Sequence, residues 1–135
     1  MCRIAIFSLA AIALVACAGG SAGTSRGTAL TVTFWAEGRD ASEPRRWTLR
    51  CAPAGGTLPR AAVACRRLAA GRRSLFTPVP RDAVCTEIYG GPQTARVVGK
   101  LDGRRLWASF RRTNGCHIAR WQRVSPWLLP PGGVS

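Results

Sequence analysis

Six cysteines, at positions 2, 17, 51, 65, 85 and 116, constrain this chain of 135 residues more tightly than any other feature of its sequence. What cysteines do depends on the compartment they reach, and the first residues speak to that. Met1-Cys2-Arg3 is a short positive start, and Ile4 to Ala16 is apolar except for Ser8, the n-region and h-region of a secretory signal. The stretch falls short of the roughly 20 apolar residues that a membrane-crossing helix needs. Export is therefore expected, with Cys2 lost along with residues 1–16.

The end of that segment, Leu14-Val15-Ala16-Cys17, resembles the bacterial lipobox. In that motif a small residue precedes a cysteine that is diacylated and becomes the new N-terminus, which makes Cys17 the expected lipidation site and the membrane an expected partner through a lipid anchor. An ordinary cleaved signal, with Cys17 incidental, is the alternative. Residues 17–29, small and polar with several glycines, read as a flexible tether.

Four cysteines remain: Cys51, Cys65, Cys85 and Cys116. In an exported chain they read as two disulfides, for which sequence order leaves three connectivities open. A zinc site would need ligand pairs at short spacing, but there is no Cys-x-x-Cys and His117 is the only histidine. An even set of cysteines in an oxidising compartment also argues against a catalytic thiol. No cofactor or metal is expected.

Twenty basic residues against six acidic ones give a formal net charge of +14, and Lys100 is the only lysine. With 47% apolar residues the chain is too hydrophobic for a disordered basic tail, and its length suits one domain. The arginines fall in scattered doublets, such as Arg66-Arg67 and Arg104-Arg105, which read as solvated faces rather than a nucleic-acid site. In an exported chain, attraction to anionic lipid or cell-wall polymer is the better use of such charge. Trp35, Trp47, Trp107 and Trp121 lie inside expected elements and read as core or dimer-face residues. Nothing marks an enzyme: there is no Ser/His/Asp spacing signature, Glu43, Asp82 and Glu87 do not pair, and His117 beside a bonded cysteine reads as a surface or packing residue.

Residues 30–36 (LTVTFWA) and 46–51 (RWTLRC) read as strands. Leu58 to Ala70 shifts to helical period, with Thr57 as cap, Pro59 in the first turn, and Leu58, Ala61, Ala62, Cys65, Leu68 and Ala69 on one face. Residues 71–84 read as an irregular connection. Residues 94–101 and 104–112 alternate on either side of Asp102-Gly103, a strong hairpin signal. Residues 116–123 read as a short helix, and Pro126 onward as a strand or extended tail.

The cysteines in their surroundings resemble the Streptomyces-type subtilisin inhibitors. The resemblance runs from Trp47-Thr48-Leu49-Arg50-Cys51-Ala52-Pro53 through Gly55-Gly56-Thr57-Leu58-Pro59, Ala61 to Leu68, Cys85 to Tyr89 and Val97 to Phe110, ending at Thr113-Asn114-Gly115-Cys116. It implies an α+β fold, a two-layer sandwich of antiparallel sheet covered by two helices, with Cys51 paired to Cys65 and Cys85 to Cys116. Each ring so closed should add about 3–4 kcal/mol. The expected divisions are an inhibitor-like domain over residues 30–129 and a tail over 130–135.

The resemblance further implies an inhibitor of serine proteases, acting through an exposed loop that sits in the enzyme like a substrate and is cleaved very slowly. Carried over by position, the loop is Val84, Cys85, Thr86, Glu87, Ile88 and Tyr89, and the scissile bond is Glu87–Ile88. Asn114 would support the loop by hydrogen bonds; from the residues alone, Asn114-Gly115 is equally a turn that tolerates positive φ. A glutamate at the specificity position departs from what subtilisin prefers and points to a glutamate-preferring extracellular serine protease as partner. A homodimer through the sheet is also implied. The alternative is a non-inhibitory cell-envelope binding module that uses the basic surface of the same scaffold.

Overall fold

The computed structural model describes residues 27–132, so residues 1–16 and Cys17 lie outside the described part. Four strands, β1 (Thr28–Trp35), β2 (Arg45–Cys51), β3 (Thr94–Leu101) and β4 (Arg104–Phe110), form one antiparallel sheet in the order β2-β1-β3-β4. Two helices, α1 (Ala61–Gly71) and α2 (Gly115–Val124), cover one of its faces, α1 against β2 and α2 against β4. This is the two-layer α/β sandwich.

Alternation decides which side of the sheet is buried. Leu30, Val32 and Phe34 of β1 face inward with Leu49, Ala95, Val97, Leu106, Ala108 and Phe110, because successive side chains of a strand point to opposite faces. Trp121 of α2 closes this layer edge-on to Phe34, with ring centres 6.1 Å apart. At the β3–β4 hairpin Asp102 and Gly103 both take positive φ, 51° and 76°, the turn whose twist matches that of the strands.

The sheet begins earlier than the tether was expected to end, since Thr28 and Ala29 already pair with Cys51 and Arg50. The helix begins later. Thr57 does not cap it: its hydroxyl accepts from the Thr48 N–H at 2.9 Å, and Leu58 N–H donates to the Thr48 carbonyl at 2.9 Å. Residues 55–58 are thus an extension of the edge of β2. Gly56 permits this approach, because a Cβ there would stand 2.3 Å from the Thr48 oxygen. α1 starts after Arg60, which takes left-handed angles, and buries Ala64 and Leu68 while Ala62 and Ala69 stay exposed. The connection after α1 opens with a 3-10 helix, Arg72–Phe76, that plants Phe76 against Phe110.

Among the described residues, 126–129 are neither strand nor extended tail. After Val124 the chain turns, Leu128 and Leu129 N–H donating to the Val124 carbonyl, and Trp127, Leu128 and Leu129 are buried. The Pro130 carbonyl accepts from Trp121 Nε1 at 2.9 Å and the Gly132 carbonyl from Arg112 at 3.3 Å, so residues 130–132 are fastened to the domain. Apolar burial worth about 1.5–3 kcal/mol per large side chain outweighs the extended preference of the prolines.

The candidate reactive loop

Between the 3-10 helix and β3 the chain runs without regular structure past the end of the sheet where β1 finishes. Val84 is fully exposed there, and Ile88 and Tyr89 are each 62% exposed; Thr86 and Glu87 are exposed as well. Three of the four large apolar side chains exposed among the described residues thus fall within this one segment, a clustering that folding does not require.

Three connections hold this exposed segment in place. Cys85 is joined to Cys116 at the start of α2, with Cα atoms 5.4 Å apart. The Thr86 carbonyl accepts from Gly115 N–H at 2.9 Å, and Gly90 N–H donates to the Arg112 carbonyl at 2.7 Å. Glu87, Ile88 and Tyr89 therefore stand off from the protein between two backbone clamps. Both clamps leave little room for a side chain: a Cβ on Gly115 would lie 2.0 Å from the Thr86 hydroxyl, and one on Gly90 2.8 Å from the Ile118 side chain and 3.2 Å from the Arg112 carbonyl oxygen, so a neighbour would have to shift. The second disulfide, Cys51–Cys65, joins β2 to α1 at the far end of the sheet.

Asn114 sits beside the clamp, yet it serves the helix. Its side-chain oxygen accepts from His117 N–H at 3.0 Å and its backbone is extended, φ −158°, the geometry of an N-cap. The turn with positive φ does not form, and the hydrogen bond to the loop comes from the next residue's backbone.

Two buried arginines support the loop from below. Arg112 reaches Gln93 Oε1 at 2.9 Å and the Gly132 carbonyl, holding the segment that follows the loop. Arg120 donates to the carbonyls of Thr77, Phe76 and Ser109 and lies 4.2 Å over the Phe110 ring. It ties the segment preceding the loop to β4 and α2. Burial, then the charge of Arg123, lowers its pKa; carbonyl dipoles, in place of a carboxylate, compensate the charge. His117 Nε2 meets Arg111 at 3.0 Å, and since guanidinium only donates, the ring nitrogen accepts and the imidazole is neutral. Partial burial, then Arg111 and Arg120, lowers the His117 pKa from its ordinary value.

Neither arginine was singled out by sequence, where both sit among many others; the one available signal was that Arg120 falls between the helix-face residues Cys116 and Trp121. Gly90 and Gly91 after Tyr89 were a visible cue to a close approach. Among the described residues no group of three or more His, Cys, Asp or Glu side chains is placed to hold a metal ion. No helix of the described residues is long and apolar enough to cross a membrane.

Residues 25–114 match the sequence profile of the family described as "Subtilisin inhibitor-like". The subtilisin inhibitor of Streptomyces violaceus is 39% identical over 84 residues, 59% of this chain and 57% of that protein. The subtilisin inhibitor-like protein 1 of Streptomyces cacaoi is 36% identical over 85 residues, 60% of this chain and 76% of that protein. Among solved structures, sermetstatin of Streptomyces caespitosus, in complex with subtilisin from Bacillus licheniformis, superposes with a TM-score of 0.52 at 27% identity, covering 76% of this chain and 97% of that one. Profile, sequence relatives and fold agree, and the chain belongs to the subtilisin inhibitor-like family.

Proposed function

We propose that the chain inhibits a serine protease in the manner of a substrate, presenting Val84 to Tyr89 with Glu87–Ile88 as the bond offered for cleavage. One observation carries this reading: Thr86 and Gly90 are clamped on either side of that bond, while the residues between them are exposed. A loop already fixed in position loses little conformational freedom on docking. After a cut, the new carboxyl and amino ends stay close enough to rejoin.

Glu87 sets the target. A carboxylate buried in an apolar pocket without a cation costs several kcal/mol, so the fitting enzyme is a glutamate-preferring serine protease whose specificity pocket is basic. The family is one of inhibitors rather than enzymes, and the chain is not an enzyme. Export and anchoring through Cys17 belong to the same proposal and would show in intact mass as loss of residues 1–16 and gain of a diacyl group.

The test compares the chain with Glu87→Met against subtilisin and against a glutamyl endopeptidase. The parent should block the endopeptidase and the Met variant should block subtilisin. If neither protein blocks either enzyme, the reactive-loop reading fails.

A further inference from the structure

Asn114 is the only asparagine in the chain, and a glycine follows it. Such a pair is chemically labile wherever the backbone is free to turn. The nitrogen of the second residue can attack the side-chain amide carbon of the first, and glycine has no side chain to obstruct the approach. A bulkier residue would slow that attack, but the clamp leaves little room for one, since a Cβ on Gly115 would lie 2.0 Å from the Thr86 hydroxyl. The support of the loop is thus built on a reactive pair.

The folded backbone holds this chemistry back. Asn114 is extended, with φ −158° and ψ 174°, and at that ψ the Gly115 nitrogen is turned away from the position that closes a five-membered ring. Ring closure needs rotation about the Cα–C bond of Asn114, which turns the whole peptide plane between the two residues. Hydrogen bonds hold both edges of that plane. Gly115 N–H donates to the Thr86 carbonyl and the Asn114 carbonyl accepts from Ile118 N–H, each at 2.9 Å. The side chain itself is not shielded: Asn114 Oδ1 accepts from His117 N–H at 3.0 Å, a donor that polarises the amide carbon toward attack, and both residues are only half-buried.

We propose that Asn114 is a site of deamidation gated by the loop: its side chain stays an amide while Thr86 holds Gly115, and is converted when that hydrogen bond opens. The Gly115 nitrogen gives its proton to solvent and bonds to the side-chain carbon of Asn114, whose C–N bond breaks as the amide nitrogen takes up a proton and leaves as ammonia. Water then opens the cyclic imide at either carbonyl. One opening leaves aspartate, which still caps α2. The other leaves isoaspartate, with the main chain routed through the former side chain, and the added backbone carbon carries Gly115 out of register with Thr86. A loop that opens for long is thereby marked, and the isoaspartate form lacks one of its two clamps. The chemistry stands on Asn114, Gly115 and Thr86 and holds whether or not the loop inhibits a protease.

The experiment incubates the full chain, C85S/C116S and C51S/C65S at mildly alkaline pH and follows the exchange of amide for acid at Asn114 by peptide mass spectrometry, with the parent unfolded in urea as the unrestrained reference. C85S/C116S releases the first turn of α2 from the loop, while C51S/C65S opens a ring of similar worth at the far end of the sheet. The parent should convert about tenfold or more slowly than the unfolded reference, and C85S/C116S about tenfold or more faster than the parent, since fixing even one residue's backbone is worth roughly that factor. C51S/C65S should stay within about twofold of the parent, because its opening is remote from the clamp. In the parent, the Gly115 amide hydrogen should be protected from exchange by a factor comparable to that for conversion, a readout that needs neither variant to fold. Equal acceleration in the two variants would show that global unfolding is the gate and overturn the proposal. So would a parent that converts as fast as the unfolded reference, an Asn114 that stays an amide in that reference, or a Gly115 amide that exchanges freely while conversion stays slow.

Discussion

Replacing Cys85 and Cys116 together with serine separates what a disulfide does for stability from what it does for a loop. On the chain-entropy account, opening the bridge with a sequence separation of 31 costs about 3.7 kcal/mol, and opening Cys51–Cys65, with a separation of 14, about 3 kcal/mol. C51S/C65S is therefore a matched control, nearly as destabilised but altered at the end of the sheet away from Glu87. In urea both variants should lose about 3–4 kcal/mol. Inhibition should divide them. Without the 85–116 bridge, freeing even two residues of the loop costs about 2–4 kcal/mol on docking, a weakening of roughly 30-fold or more. The Glu87–Ile88 bond also lies inside the ring closed by that bridge, so a cut in the parent frees no fragment, whereas a cut in C85S/C116S leaves two chains. Incubated with a glutamyl endopeptidase and followed by mass spectrometry and residual activity, C85S/C116S should be consumed while C51S/C65S persists as an inhibitor. Equal loss of inhibition in both variants, or an intact inhibitor in C85S/C116S, would refute the reasoning.

Arg120→Met strips the donor from the carbonyls of Thr77, Phe76 and Ser109; leaving buried acceptors unpaired should cost about 1–3 kcal/mol or more in urea unfolding, and Arg120→Lys should recover only part because an ammonium lacks the guanidinium fork. A Met variant as stable as the parent would show that the buried cation holds nothing. His117 has a folded pKa below its unfolded value, so its neutral form contributes stability that is fully present above the ordinary imidazole pKa of about 6.5 and is lost as pH falls through that value toward the lower one. Unfolding curves at pH 7.5 and 5.5 should show the parent losing more stability on acidification than His117→Gln; identical losses would contradict this.

Where local chemistry and tertiary packing agree, the elements were readable from the residues. The alternation on either side of Asp102-Gly103 and the β-branched run of β1 predict the strands that form. Local signals that found other employment misled. Thr57 has the chemistry of a cap, but Thr48 on the neighbouring strand uses its hydroxyl first, and nothing in a local window reveals a partner nine residues away. The prolines after Ser125 suggest an extended end, while Trp127, Leu128 and Leu129 find an apolar layer to fill. At the loop, the exposure of residues 86–89 and the Cys85–Cys116 bridge were expected, but its other supports are backbone groups and buried arginines. A backbone N–H such as that of Gly115 leaves no mark in a sequence, and Arg120 differs from its exposed neighbours only by where α2 happens to aim it.

β1 sets a distance as well as a fold. It starts at Thr28, where residues 1–27 join the domain, and ends at Trp35 beside the start of β3, the end from which the loop projects. Eight residues of extended chain measure about 26 Å. The entry of the chain at Thr28 and the candidate reactive loop are thus held at opposite ends of β1, so a partner fused ahead of Thr28 would sit at the pole away from Glu87.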